Sequence, residues 1–308
     1  MARPIDRALR SNIKLRHLQL VVALDEFRHV GRTAEFLSVT QPAVSRMLGE
    51  VEAMLGQVLF ERSTRGSTPT AAGAAFIRFA KSALAEYERT RDEMAAVESG
   101  HAGRTRVGCM VVALPTLLAP ALDRLKARAP AATVLVEEGD LTHLLPKLRT
   151  GELDLFIGRL EPAYAAPDLE TEALRQEPMV VVARPGHALA AKRRVRWVDL
   201  AAQPFVMPPP WASSRVKIVQ CFYAAGLQPP TDIVESASFL AQVTFLHQRG
   251  ACALMARSVA RHFEGLGLVR VLRIAVQLDL PPVGMMWLRA RPPTRATAVL
   301  MEDLRAVA

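Results

Sequence analysis

Cysteine and long apolar runs are both scarce in this sequence. Its 308 residues include only three cysteines, far apart along the chain: Cys109, Cys221 and Cys252. An odd, scattered set fits free thiols in a reducing compartment better than a disulfide framework. The longest apolar run, Val107 to Leu122, is broken by a glycine and two prolines and is too short to cross a bilayer. Since the first residues also lack an apolar segment of signal-peptide length, we predict a cytoplasmic protein without a membrane partner.

The motifs of common catalytic sites are absent as well. The chain contains no G-x-S-x-G, no H-E-x-x-H, no G-x-x-x-x-G-K and no closely spaced set of metal ligands. Ser214 and Lys217 do fit the S-x-x-K spacing of serine acyl-enzymes, but the accompanying S-D-N and K-T-G segments are missing. We therefore expect no enzyme activity, no cofactor and no metal, and keep a Ser214/Lys217 acyl-enzyme as an alternative.

The composition is that of a globular protein with a basic excess. Hydrophobic residues make up 50% of the chain and charged residues 22%, and the net charge of +9 suggests polyanionic partners. The excess is spread thinly, because residues 1–70 carry 10 basic and 7 acidic side chains. Charge alone is therefore weak evidence for nucleic-acid binding.

Residues 14–70 have the periodicity of short helices separated by tight turns. In one of these helices apolar residues recur at i, i+4, i+7 and i+11, namely Val44, Leu48, Val51 and Leu55. Residues 71–98 then form one long predicted helix with an apolar side, which indicates packing against another helix, in this chain or in a second one. Residues 99–103 predict a linker.

From residue 104 the pattern changes to short apolar runs such as TRVGC, LDLFIG, MVVVA and ACALM. These runs alternate with predicted helices at 114–128, 141–150 and 214–225. Such alternation indicates an α/β unit with buried, largely parallel strands.

The stretch TQPAVSR, which begins at Thr40, has the features of a helix start. The Thr40 hydroxyl can cap the helix, and Pro42 lies in the first turn, where no backbone N–H is needed. With Val44 turned inward, Gln41 and Ser45 share an outer face of short polar groups. Gln41 could hydrogen-bond to adenine, Ser45 to a base or phosphate, and Pro42 could pack on a thymine methyl. These are the properties of a recognition helix in a helix-turn-helix.

The longer segment TQPAVSRMLGEVEAMLGQVLFERSTRGSTPTAAG resembles the winged helix-turn-helix of the LysR-type transcriptional regulators. It follows that family's S/T-Q-P-A-V-S, L-G, L-F-x-R, second arginine and glycine, and final T-x-x-G. The resemblance covers nearly the whole chain, and the segment EEGDLTHLLPKLRTGELDLFIGRL looks most like the branch that regulates sugar-uptake and aromatic-catabolism genes.

The resemblance implies an α/β multidomain fold. An N-terminal all-α winged helix-turn-helix and a long linker helix would precede a C-terminal two-subdomain α/β module like the type 2 periplasmic solute-binding proteins. The implied domains are 1–70 for DNA binding, 71–103 for the linker and dimerisation helix, and 104–308 for effector binding. Subdomain I is expected at 104–162 and 268–308 and subdomain II at 163–267, with crossovers near 159–166 and 265–269.

The resemblance also implies a sequence-specific regulator whose operator binding changes with a small effector. Its expected partners are double-stranded DNA with an imperfect palindrome, a second copy through the 71–98 helices with further assembly to a tetramer, and RNA polymerase. The two half-sites would lie about 34 Å apart on the duplex.

Further DNA contacts are expected outside the first turn of the recognition helix. Arg62 and Arg65, in the predicted wing, are candidates for phosphate or minor-groove contacts. Arg46 and Thr70 complete the candidate set. Glu52 is expected to form an ion pair within the domain, since phosphates repel a carboxylate.

In the C-terminal module, helix starts that follow strand ends are ready sites for anions and polar ligands. Arg159 could pair a carboxylate bidentately, and Ser213 and Ser214 offer hydroxyls. By position, the resemblance adds three more residues. The candidate effector contacts are Val112, Asp140, Arg159, Ser213, Ser214 and Ser238. They predict a carboxylate-bearing or sugar-derived effector.

Two departures from the family pattern have structural consequences. His29 stands where serine or asparagine usually caps the helix before the turn. The first helix of the module opens with residues 110–112, Met-Val-Val, in place of serine or threonine. Backbone donors and an apolar wall would remain there, which suggests an effector with a hydrophobic side.

A thiol-based redox sensor of the same family is the second alternative. Cys221 and Cys252 both lie in the effector-binding half, but each fits better as a small apolar residue, on a helix and on a buried strand respectively.

Overall fold

The computed structural model describes residues 12–63, 66–99, 103–210 and 212–308. Its N-terminal unit consists of three helices and a two-stranded antiparallel wing. The elements are α1 (Leu15–Phe27), α2 (Val30–Phe36), α3 (Gln41–Leu55), β1 (Phe60–Ser63) and β2 (Gly66–Pro69). The predicted apolar stripe of α3 is confirmed, because its four residues are buried together with residues of α1.

The cap of α2 is a histidine side chain. His29 Nδ1 accepts hydrogen bonds from Gly31 N at 3.0 Å and Arg32 N at 3.4 Å, and the Thr33 hydroxyl donates to His29 O at 3.0 Å. A ring nitrogen thus satisfies the free backbone donors that a serine or asparagine oxygen usually satisfies. The departure at His29 therefore preserves helix capping.

The wing is tied to the helices through backbone groups. Ser67 N donates to Arg28 O at 2.9 Å, and Gly66 has φ +126°. A Cβ at Gly66 would lie 2.5 Å from the same Arg28 oxygen, so both the backbone conformation and the close approach require glycine.

Helix α4 (Ala71–Ser99) connects the two halves of the chain and confirms the predicted long helix. Its first turns pack on α1 through Phe76, Ile77 and Ala80. Farther along, large apolar side chains face outward, with Met94 62% and Val97 83% exposed. Helix α4 is therefore anchored at its start and leaves an uncovered apolar face beyond.

Ion pairs hold the second half of α4 against the C-terminal half. Arg106 Nη2 lies 2.9 Å from Asp92 Oδ2 and 3.4 Å from Glu88 Oε2, and Arg291 Nη2 lies 3.2 Å from Glu86 Oε2. Because Arg106 and Asp92 are both largely shielded from solvent, these contacts are screened less by salt than surface pairs.

The first five-stranded sheet has the order β4-β3-β5-β12-β6. Its strands are β3 (Arg104–Cys109), β4 (Thr133–Glu138), β5 (Leu155–Arg159), β6 (Leu169–Arg175) and β12 (Val283–Leu288). The helices packed around it are α5 (Ala119–Arg128), which continues a π-helical turn at Leu114–Leu118, α6 (Leu141–Thr150) and α11 (Arg295–Val307).

The second five-stranded sheet has the order β11-β7-β10-β8-β9. Its strands are β7 (Met179–Ala183), β8 (Phe205–Met207), β9 (Ile233–Glu235), β10 (Cys252–Ala256) and β11 (Arg270–Val271). Its helices are α7 (Trp197–Ala201), α8 (Ser213–Ala224), α9 (Phe239–Arg249) and α10 (Arg257–Gly265). The three helices predicted at 114–128, 141–150 and 214–225 are confirmed within a residue or two.

Two details of the predicted α/β module need correction. Both sheets are mixed, since β12 pairs antiparallel with β5 and β6, and β7 pairs antiparallel with β10 and β11. The crossovers also come later than predicted: β6 lies in the first sheet and β11 in the second, so the chain passes between sheets at 176–178 and 272–282. This edge strand, LETEALR, is largely polar and contains no apolar run, so the sequence pattern did not mark it as part of the first sheet.

Candidate DNA-binding surface and effector cleft

The first turns of α3 present a compact polar face. Thr40 Oγ1 accepts from Ala43 N at 3.4 Å, which confirms Thr40 as the N-cap, and Pro42 lies in the first turn. Gln41, Pro42 and Arg46 are exposed and Ser45 is half-buried, while the opposite stripe of the helix is in the core. Because these positions are spaced by one, four and five residues, one and a half turns of helix bring all of them onto one outward surface.

Glycine shapes the surroundings of this face. A Cβ at Gly49 would meet no atom within 4 Å, so the outer stripe that starts at Gln41 ends in open space. A Cβ at Gly31 would lie 3.0 Å from Gln41 Nε2 and 3.0 Å from the His29 ring. Gly31 therefore makes room for the Gln41 side chain beside α2. The sequence signal for this role is a glycine in the first turn of a helix.

The base of the wing is held by a carboxylate. Glu52 Oε1 accepts from Leu59 N at 2.7 Å and from Phe60 N at 3.2 Å. The expected ion pair is thus replaced by two charge-assisted bonds to backbone donors, which fix where the wing leaves α3. Glu52 therefore supports the wing from within the domain and is not expected to contact DNA itself.

Three residues in or next to the wing were predicted to contact DNA: Arg62, Arg65 and Thr70. Arg62 lies in β1, but its side chain, like the whole of Arg65, lies outside the described residues. The Thr70 hydroxyl donates to Val58 O at 2.7 Å and accepts from Gly73 N at 3.0 Å. Thr70 therefore caps α4 and closes the wing, and these two bonds already use its hydroxyl.

In the C-terminal half, the candidate effector residues collect at the carboxyl ends of parallel strands. Strands β4, β3 and β5 are parallel neighbours, and Val112, Asp140 and Arg159 follow or end them. Strands β10, β8 and β9 are likewise parallel, and Ser214 and Ser238 follow β8 and β9. Each sheet thus brings its own candidates to one edge, where ligands of open α/β sheets bind.

At the first edge, the side chains of two candidates already contact other groups of the protein, which the sequence did not indicate. Val112 is only 6% exposed and packs in the core with Leu117, so its side chain does not form a wall of the cleft. Asp140 caps α6 by accepting from Thr142 N at 3.0 Å and His143 N at 3.2 Å. Burial raises the pKa of Asp140, but hydrogen bonds from Thr142 and His143 outweigh it and hold this pKa below its usual value.

Arg159 is a buried clamp on both crossovers. Its side chain is 6% exposed, and Nη1 donates to Pro281 O and Nη2 to Glu177 O, each at 2.8 Å. Burial lowers the pKa of Arg159, while Glu177 and Glu161 act in the opposite direction. Two of its five donors thus hold the segments that link the sheets, which leaves less of the guanidinium for a ligand carboxylate.

Glu177 completes this hinge and was missed by sequence analysis. Its buried carboxylate accepts from Ser258 N at 2.9 Å and lies 3.2 Å from Arg175 Nη2, and Arg175 also donates to Thr116 Oγ1. Thr116 belongs to the first subdomain and Ser258 to the second, so one short network joins both. A glutamate two residues before the apolar run of β7 was the available signal.

One of the serines at the second edge caps a helix. Ser238 is exposed and its Oγ accepts from Ala241 N at 3.3 Å at the start of α9. Ser214 is half-buried in the first turn of α8, whereas the side chain of Ser213 is not among the described groups.

The three thiols are separated and poorly ionised. Cys109 and Cys252 are buried in different sheets, and burial raises the pKa of each to about 12, with Glu138 adding to the effect at Cys109. Burial also raises the pKa of Cys221 in α8. A redox switch requires an accessible thiolate, so this geometry disfavours the thiol-sensing alternative.

A winged helix-turn-helix with an exposed recognition face, joined by a long helix to two mixed sheets with a hinge, defines a DNA-binding regulator with a sensing domain. Comparison with known families agrees. Residues 15–74 match the family described as bacterial regulatory helix-turn-helix protein, lysR family, and residues 98–308 match the LysR substrate binding domain. The chain belongs to the LysR family of bacterial transcriptional regulators.

Individual relatives show how far the similarity extends. The HTH-type transcriptional regulator GbpR of Azospirillum brasilense is 31% identical over 304 residues, covering 98% of this chain and 89% of that protein. The HTH-type transcriptional regulator GalR of Pseudomonas putida is 30% identical, covering 95% of this chain and 73% of that protein. The crystal structure of CbnR, a LysR family transcriptional regulator, has a TM-score of 0.73 at 23% identity, covering 96% of this chain and 99% of that one.

In the part of the chain that the structure describes, no helix is both long and apolar enough to span a bilayer. The same residues include no group of three or more His, Cys, Asp or Glu side chains placed to hold a metal ion.

Proposed function

We propose that the chain binds an imperfect palindromic operator as a dimer, with the α3 face formed by Gln41, Pro42, Ser45 and Arg46 in the major groove. The observation that carries this proposal is the outward orientation of these four side chains on a helix whose opposite stripe is buried. Short side chains at the start of a helix suit direct base contact, and Arg46 suits a phosphate or guanine.

Dimerisation through α4 is supported by its uncovered face. On the side of α4 turned away from α1 and in the turns that follow, exposed apolar residues recur at intervals of three to eight: Phe79, Tyr87, Met94 and Val97. A second copy of the same stripe would cover it, as in a coiled coil. Dimers of this kind would assemble further to a tetramer, and RNA polymerase is the further partner that such a regulator requires for transcriptional control.

For the rest of the chain we propose the domains 1–70, 71–103 and 104–308, with the subdomains now divided at the two crossovers. A small carboxylate-bearing or sugar-derived effector would bind between the carboxyl edges of the two sheets. The N-termini of α6, α8 and α9 support this class, since each begins at such an edge. The Arg159 and Glu177 network lies where closure of the subdomains would act, and a ligand that prefers the closed form would shift that equilibrium.

The chain acts by binding and not by catalysis in this proposal. The alternative nucleophile pair Ser214 and Lys217 lacks support, because the Lys217 ammonium donates to Asp279 O, a carbonyl outside the pair. Because the proposed partner is DNA, we also expect a cytoplasmic location.

Selection of duplexes from a random-sequence library by the full-length protein tests the operator proposal. We expect enrichment of an inverted repeat whose half-sites are about 10 base pairs apart, centre to centre. Ser45→Ala with Arg46→Ala should weaken binding of the selected duplex, and the slope of log affinity against log salt should fall by about 0.9 per lost phosphate contact. Arg193→Ala, an exposed arginine of the effector-binding half, is the matched control. Equal affinity of the two variants, or selection without an inverted repeat, contradicts the proposal.

A further inference from the structure

A groove whose lining includes none of the six candidate effector residues lies beside the second sheet. It runs between α8 and the return crossover, 272–282, and has a volume of about 760 Å³. This is within the range of roughly 300–1,000 Å³ that small-molecule sites occupy. The groove therefore has room for a ligand in addition to an effector at the strand ends.

The floor of the groove is apolar and contains an aromatic ring. Trp197, Ile274 and Leu278 line it and pack on the core of the second sheet. Trp197 is itself fixed by an edge-on contact with Phe222, with ring centroids 5.0 Å apart. Ala224, one of the small residues of the α8 wall, leaves space beside the ring of Trp197.

The rim is basic. Arg194, Arg196 and Lys217 line the groove, against the single carboxylate of Asp279. Arg194 is exposed and makes no ion pair with any described residue, while Arg196 is 3.9 Å from Asp199. At least one guanidinium is thus free to pair with an anion, and planar guanidinium groups suit carboxylates.

We propose that this groove binds an aromatic carboxylate, with the ring on Trp197 and the carboxylate at Arg194. Apolar floor and basic rim together select a ligand with one flat hydrophobic part and one negative charge. The site is also connected to the hinge, because the crossover that forms its wall ends at Pro281, whose carbonyl Arg159 holds at 2.8 Å. Occupancy of the groove therefore restrains the crossover and acts on subdomain closure independently of the strand-end cleft.

Cys221 gives a readout that is local to the groove. Its thiol lines the groove 3.8 Å from Gln277 O, whereas Cys109 and Cys252 are buried. With 1-naphthoate as the probe, alkylation of Cys221 by N-ethylmaleimide at mildly alkaline pH should slow in proportion to occupancy, measured by mass spectrometry. The neutral 1-naphthamide should protect at least about tenfold less well, since the pairing with Arg194 is lost. No protection by millimolar naphthoate, or equal protection by both probes, overturns the proposal.

Two pairs of variants separate this site from the cleft. In isothermal titration of the full chain, Arg194→Gln should weaken naphthoate binding about tenfold, and the neighbouring Arg193→Gln should leave it unchanged. Ala224→Trp should fill the groove and remove binding, while Val216→Trp, at an exposed position of α8 outside it, should not. Unchanged binding in Ala224→Trp, or equal effects within either pair, contradicts the proposal. Loss of oligomer in Ala224→Trp without naphthoate binding by the wild type would instead make the groove a contact between copies. None of these outcomes bears on operator binding.

Discussion

Replacement of Arg159 by methionine tests whether the guanidinium holds the hinge. Methionine retains most of the aliphatic volume but leaves Pro281 O and Glu177 O without their donor. Each hydrogen bond from a charged group contributes about 1.5–3 kcal/mol, and loss of one partner of a buried charged interaction costs about 3–5 kcal/mol. We therefore expect the effector-binding half to lose about 3–5 kcal/mol of stability.

Calorimetry of the full-length protein measures this loss as a shift in Tm. At about 2–4 °C per kcal/mol for a unit of this size, the transition of the effector-binding half should fall by roughly 6–20 °C. Arg149→Met removes an exposed ion pair with Asp168, 2.9 Å long, and should shift the transition by no more than about 4 °C. If Arg159→Met shifts Tm as little as this control, Arg159 does not clamp the crossovers and its guanidinium is available to a ligand.

The remaining predictions concern the wing, the junction with α4 and a buried histidine. Glu52→Ala should weaken operator binding several-fold and expose the wing to proteolysis, because Leu59 N loses its acceptor. The operator affinity of Glu52→Gln should lie between those of wild type and Glu52→Ala. An operator affinity of Glu52→Ala equal to that of wild type would refute the support role. Gly73→Ala should destabilise the N-terminal unit by about 3 kcal/mol or more in thermal unfolding. The reason is that a Cβ would lie 1.9 Å from Leu59 O, so the backbone around it must move. A loss of stability below about 1 kcal/mol would contradict this expectation. Burial lowers the pKa of His187 despite its bond to Gly250 O, so the folded state favours the neutral ring. The contribution of His187 to stability is therefore fully present above the unfolded pKa of about 6.5. It is lost as the pH falls toward the lower pKa of the folded state. Tm of the wild type should accordingly fall more between about pH 7.5 and 5.5 than Tm of His187→Gln, and parallel curves would exclude His187 as the cause.

Local signals in the sequence were sufficient for the helices and for the recognition face. The cap at Thr40, the proline in the first turn and the stripe that includes Val44 depend on hydrogen bonds and contacts within four residues along the chain. Such features are readable because a helix brings near neighbours together whatever the rest of the fold does.

Strand partnership was less readable. The edge strand β6 is largely polar, and nothing within Leu169–Arg175 indicates which sheet it joins. Its partner β12 lies more than a hundred residues later, so only the assembled sheet determined that the first crossover follows β6. The same distance explains why parallel strands were expected where antiparallel ones complete each sheet.

The sequence by itself thus determined the class of elements, the DNA-facing helix and the long connecting helix, since each depends on the order of adjacent residues. Only the tertiary structure decided what Arg159, Glu177 and Thr70 do with their polar groups. Arg159 meets carbonyls 18 and 122 positions away, and burial makes those contacts worth more than a solvated pairing. The groove beside α8 is also a product of folding, because its floor and its basic rim come from three separate stretches of chain.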